Sequence, residues 1–254
     1  MGPMDRDELV AYLDEFLGCD SCPDASLNGL QVEGRREVQR LACGVSASAR
    51  LFQGAASWEA DAVLVHHGLF WKGQVEPVRG SLRQRLAVLL AEDINLLAYH
   101  LPLDRHPEVG NAAVFAKKLG LEGLEPFGHF DGLAVGWAGV FPRPQPLEEL
   151  VRRVQLATGQ EPMVFPGSGQ RVTSVGIVTG SGAGAFPEAV ETGLDALLIG
   201  DPKEWLMHRA EEEGIHVLAC GHYASERFGV QALGEHLERT FALEVRFFDF
   251  PNPA

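Results

Sequence analysis

Positive charge is scarce in this sequence. Lysine and arginine number 21 against 35 acidic residues, a formal net charge of −14. A field of that sign repels nucleic acid and anionic membrane, and it repels an anionic nucleotide unless a cation in the site offsets it. The few basic clusters, "GRREVQR" (34–40) and "VRR" (151–153), read as solvated faces, so no nucleic-acid partner is expected. Long apolar runs are missing too: no stretch of about 18 uninterrupted apolar residues occurs, so no membrane span is expected. The opening "MGPMDRDELVAYLDEFLG" lacks the basic start and apolar centre of a signal peptide. Cysteines number four in 254 residues, too few for a disulfide scaffold. "CDSC" (19–22) has no second pair to complete a zinc knuckle and no thioredoxin-like context, so Cys19 and Cys22 keep no assigned role; Cys43 and Cys220 lie in apolar runs and read as small core residues. These absences lead us to expect a cytoplasmic protein.

Several catalytic signatures are absent as well. No G-x-S-x-G elbow supports a serine hydrolase. "TGSGAG" (179–184) follows an apolar run and could offer N–H groups to a phosphate, but it is neither a dinucleotide fingerprint nor a P-loop and reads rather as a tight structural turn.

What is present is alternation. Apolar runs at Leu41–Val45, Ala62–Val65, Leu96–Tyr99, Val175–Thr179, Ala196–Ile199 and Val217–Cys220 read as strands. Amphipathic stretches near 5–17, 48–58, 82–92, 110–119, 147–157, 203–213 and 226–239 read as helices, and "FPRPQP" (141–146) and "FPGSGQ" (165–170) as loops. The pattern predicts an α/β protein with parallel pairings. The chain also repeats itself: "ADAVLVHHGLFW" (60–71) matches "LDALLIGDPKEW" (194–205) in its Asp-Ala, apolar strand, turn and Trp. Any two strand–helix–strand units share some of this pattern, but the shared Asp-Ala and Trp favour two lobes of similar topology, at 1–125 and 126–254, with mixed sheets flanked by helices.

Ligands of open α/β sheets collect at the ends of equivalent strands. There this sequence places His66, His67, Asp104, His222 and Glu226. Three imidazoles and two carboxylates suit zinc, iron, manganese or nickel better than calcium or magnesium. His222 and Glu226, four apart, share a face of one helical turn. Strand alternation sends His66 and His67 to opposite faces, but a turn eased by Gly68 would let them diverge to two ions bridged by a carboxylate or water. His100 would orient a ligand through its other ring nitrogen. His106, His129, His208, His216 and His236 read as surface or structural residues.

"NGLQVEG" (28–34), "VLVHHGLFW" (63–71), "YHLPLD" with "GNAAVFAKKLGL" (99–121), "TGSGAG" and "ACGHYASERFGV" (219–230) together resemble the Nif-three-like family of dinuclear-metal proteins, many of which carry the name GTP cyclohydrolase type 2. The resemblance implies metal ligands at His66, His67, Asp104, His222 and Glu226, two divalent ions per chain lying between two α/β lobes, and assembly of six copies into a ring. It implies a metal-dependent hydrolase acting on a nucleotide or phosphoester; in the GTP cyclohydrolase form, water adds at C8 of guanine and formate leaves. A metal-binding ring scaffold with little catalysis is the alternative. Relatives often place a histidine where Trp205 stands here, and whether His208 substitutes for it stays open.

Overall fold

All six apolar runs expected as strands are strands in the computed structural model, which describes residues 2–74 and 77–253. The described residues divide into two compact units, one comprising the chain up to Leu103 together with Gly229–Phe250, the other Asp104–Phe228 with the residues from Pro251 onward.

The first unit begins with β1 (Met4–Asp5), α1 (Arg6–Leu17), β2 (Gly29–Val32), β3 (Glu37–Val38) and β4 (Arg40–Ser46), then α2 (Ala49–Ser57), β5 (Ala62–His67), α3 (Gly80–Ala91) and β6 (Asn95–Ala98); the short α4 (Leu101–Asp104) follows, its last residue belonging to the second unit. Asp5 caps α1 by accepting from Asp7 N and Glu8 N, and Gly18 ends it with φ +66°, a conformation glycine adopts without strain. Leu9, Leu13 and Leu17, spaced four apart, form its buried stripe. β4, β5 and β6 run parallel, with β2 antiparallel beside β6. Val63, Val65, Leu96 and Ala98 pack against Leu51, Phe52 and Ala55 of α2.

The second unit contains α5 (Asn111–Leu119), β7 (Glu122–Phe130), β8 (Leu133–Pro146), α6 (Leu147–Thr158), β9 (Met163–Phe165), β10 (Arg171–Val178), α7 (Phe186–Glu191), β11 (Ala196–Ile199), α8 (Leu206–Glu213) and β12 (His216–Ala219). Its sheet has the order β7-β8-β10-β11-β12-β9, with β10, β11 and β12 parallel and the remaining pairings antiparallel. The "FPRPQP" stretch expected as a loop is instead the end of β8. Beyond Val140 that strand has no register partner in β7, so its prolines occupy a sheet edge, where a missing N–H costs no ladder bond. Phe115, Leu150, Val154, Ile177, Leu198 and Leu218 form the core of this unit.

α9 (His222–Phe241) begins in the second unit, and from Gly229 its residues belong to the first. It leads to β13 (Glu244–Phe247), which pairs parallel with β4 and completes the order β13-β4-β5-β6-β2.

Both units therefore hold three parallel strands with an antiparallel strand beside the third, β4-β5-β6-β2 and β10-β11-β12-β9. The repeated aspartate has the same task in each. Asp61 Oδ2 accepts from Gln39 N and Arg40 N at 2.9 and 2.8 Å, and Asp195 Oδ2 accepts from Thr173 N and Ser174 N at 2.8 Å each. Each carboxylate satisfies the two backbone donors just before the parallel pairing begins, at Leu41 with Ala62 and at Val175 with Ala196, which explains the shared Asp-Ala.

Candidate metal centre

In the first unit, β5 ends in His66 and His67, and β6 delivers His100 just past its last residue. One ligand nitrogen from each lies within 4.8 Å of the others. The strand does not turn before His67, as the sequence suggested: His67 still pairs with Ser46 of β4. His66 is fully buried and His67 half-buried, yet their rings lie 4.6 Å apart. Gly68 serves space rather than a left-handed turn, since a Cβ there would come 2.4 Å from Gln31 Oε1. That oxygen accepts from Leu69 N and Phe70 N and fixes the loop after the histidines.

Each imidazole of this cluster has a partner at Nδ1. For His66 it is the Tyr99 carbonyl at 3.0 Å, for His67 the Ser46 hydroxyl at 3.2 Å and for His100 the Asp24 carboxylate at 2.9 Å. A carbonyl only accepts, so His66 must donate from Nδ1, and its Nε2 keeps the lone pair a metal needs. Asp24 and Asn28 account for part of the "NGLQVEG" region. Asn28 donates to Asp24 Oδ2 and accepts from His100 N. Burial opposes ionisation of Asp24, but the hydrogen bonds with His100, Asn28 and Ser26 N outweigh it and hold the carboxyl well below its ordinary value.

In the second unit Asp104, His222 and Glu226 come from α4 and the first turn of α9. The segment carrying Asp104, expected to be extended, closes a single helical turn. Pro102 sits in that first turn, where its missing N–H is harmless. Asp104 Oδ1 accepts from Asn111 Nδ2 at 2.8 Å and Thr179 Oγ1 at 3.3 Å. His222 Nε2 meets Glu226 Oε2 at 3.0 Å, and its Nδ1 meets Asp201 Oδ1 at 3.0 Å. The hydrogen bond to Glu226 raises His222 to about 9 against the effect of burial, with Asp201 adding to the rise. Asp104 and Glu226, 7% and 3% exposed, bring carboxylate oxygens within 4.8 Å of each other. Two buried carboxylates so close repel one another, and a divalent cation offsets that repulsion. The donors of both units therefore suit a borderline transition metal.

Asp201 and Asp24 were not singled out from the sequence. Asp201 aligns with His67 in the repeat, so the strand end that supplies an imidazole in one unit supplies its carboxylate orienter in the other. "TGSGAG" is a structural turn. Gly180 has φ +60° and lies so close to α9 that a Cβ would come 2.1 Å from Glu226 Oε1. Trp205 packs edge-on to Phe186 and is 38% exposed. Among the described residues, no helix is long and apolar enough to cross a membrane.

Residues 4–253 match the model of the family Duf34/NIF3 (NGG1p interacting factor 3). A Deinococcus radiodurans protein named GTP cyclohydrolase 1 type 2 homolog is 43% identical over 99% of this chain and 95% of its own length. A protein of the same name from Pseudomonas aeruginosa is 44% identical over 98% and 96%. The crystal structure of a Thermus thermophilus protein, 44% identical, superposes with a TM-score of 0.89 and covers 99% of this chain and all of that one.

Proposed function

The chain belongs to the Duf34/NIF3 family, and from that premise we propose that it is a divalent-metal-dependent hydrolase, in its narrowest form a GTP cyclohydrolase of type 2. The observation that carries this reading is the orientation of the imidazoles: His66, His67, His100 and His222 each meet a partner at Nδ1 inside their own unit. Such partners fix ring orientation and direct Nε2 toward a ligand. His66, His67 and His100 would hold metal from the first unit, and Asp104, His222 and Glu226 from the second. Two ions per chain is the number the family resemblance implies.

When bound, such ions supply Lewis acidity and a nucleophilic water at neutral pH, and they give an anionic substrate a cationic target within an acidic protein. The chain's own residues do the rest. Asp24 and Asp201 hold His100 and His222 in position, and Asn111 and Thr179 hold Asp104. Glu226 accepts from His222 Nε2, and a metal ion held by these two residues would take the place of that proton. The reading includes six-copy rings in the cytoplasm.

The test is turnover of GTP and of a phosphoester panel by metal-loaded protein, with His67→Ala alongside. Hydrolysis that falls at least about 100-fold in the variant, with metal content falling in parallel, supports the reading. No turnover of any substrate, with His67→Ala indistinguishable from wild type, leaves a metal-binding scaffold. Sedimentation reads the copy number directly.

A further inference from the structure

At the carboxyl ends of β11 and β12 the second unit has a cavity of about 430 Å³, lined among others by Gln160, Glu161, Met163, Asp201, Pro202 and Lys203. The ends of parallel strands are where open α/β sheets take ligands, and this volume lies in the range of small-molecule sites. Gly200 and Gly221 also line it, and both are glycine because the protein packs against them: a Cβ at Gly200 would meet the Gly180 backbone at 2.6 Å. Gly221 has φ +87°, and a Cβ there would come 1.8 Å from Gln160 Nε2. The Gln160 amide is pinned by donating to Cys220 O at 2.8 Å.

The charges decide the ligand. Among the described residues, Lys203 is the one cation lining the cavity, against two carboxylates, Glu161 and Asp201. Asp201 is already engaged by His222 and Ser181. Lys203 and Glu161 form no ion pair among the described residues and are both exposed. A lining of formal charge −1, on a chain of −14, disfavours a polyanion. It suits a ligand carrying one negative and one positive group. Met163, 55% exposed, and Pro202 add an apolar wall.

We infer that this cavity is a binding site for a small zwitterion of dipeptide size, its carboxylate held by Lys203 and its ammonium by Glu161. The site goes beyond the hydrolase reading and does not depend on it, because binding is read without turnover. Its contact with the metal residues is Asp201, which both lines the cavity and orients His222.

The experiment is amide-shift titration of the full chain with alanyl-alanine, with the same dipeptide blocked at both ends, and with GTP. Expected are saturable shifts at Gly200, Lys203 and Gly221 with alanyl-alanine. Lys203→Glu, which removes one charge-assisted hydrogen bond and sets a carboxylate against the ligand's, should weaken binding at least about tenfold, the doubly blocked form, which loses both charged contacts, at least about a hundredfold, and Lys203→Arg should restore binding. Glu161→Gln should weaken the zwitterion and not a dipeptide whose amine alone is blocked. Equal binding of free and blocked dipeptide, no saturable shift at these amides, or tighter binding of GTP at them overturns the assignment. Because His67→Ala turnover is measured separately, failure here leaves the hydrolase reading standing, and the reverse also holds.

Discussion

An imidazole that must donate from Nδ1 is only as well placed as its acceptor, so the acceptors are testable in their own right. Asp24→Asn and Asp201→Asn should each lower metal affinity about 10–100-fold in a chelator-competition titration, with the far-ultraviolet spectrum unchanged. Ser46→Ala should cost less, since a hydroxyl 3.2 Å from His67 is a weaker orienter than a carboxylate. Gly180→Ala should push Glu226 aside and reduce metal content while the protein still folds, because its Cβ would fall on Glu226 Oε1. Burial, with Asp14 adding to it, pushes the Cys19 thiol up to about 12; burial alone brings Cys43 to the same value, and Cys220 goes higher. These three should resist alkylation at pH 8 in the native protein and react once it is unfolded. The histidines and acids of the candidate site were legible because they cluster at strand ends and at helical spacing. Asp24, Asn28 and Ser46 were not, because their imidazole and backbone partners lie 21 to 76 positions away in sequence and no periodicity links them.

At the scale of elements, the aspartates that begin β5 and β11 are matched structural parts. Asp61→Ala and Asp195→Ala should each destabilise by about 1–3 kcal/mol in urea titration, since each strands two backbone donors. Their agreement would show that the sequence repeat is a repeat of mechanics. The central strands were readable as apolar runs because parallel strands are covered on both faces. The β7–β8 hairpin was not readable, since its prolines mimic a loop and only its sheet-edge position reconciles them with a strand. β13 escaped notice because "EVRF" is short and only half-buried.

For the whole molecule, acid is the discriminating stress. The hydrogen bond from Arg36 lowers Asp5, and those from Arg152 and Arg153 bring Glu149 to about 2. In Asp24 and Glu188 hydrogen bonds outweigh opposing burial and lower the carboxyls too. A folded value below the unfolded one gives stability that is fully present above about pH 4 and is lost as pH falls through the lowered value. Melting temperature should therefore drop from pH 5 downward, and the drop should be shallower in Asp24→Asn. Leu198→Ala, at a fully buried core position, should cost about 2–5 kcal/mol at any pH in that range.

The path of α9 has a consequence for how this chain is made. β13, the outer neighbour of β4, is synthesised only after every residue of the second unit up to Phe228. Until it arrives, β4 presents an open parallel edge whose N–H and C=O groups have no mate on that side, which is a template for a stray strand. A chain stopped before Glu244 should therefore aggregate rather than fold, and supplying "EVRFF" as a peptide in trans should suppress that aggregation.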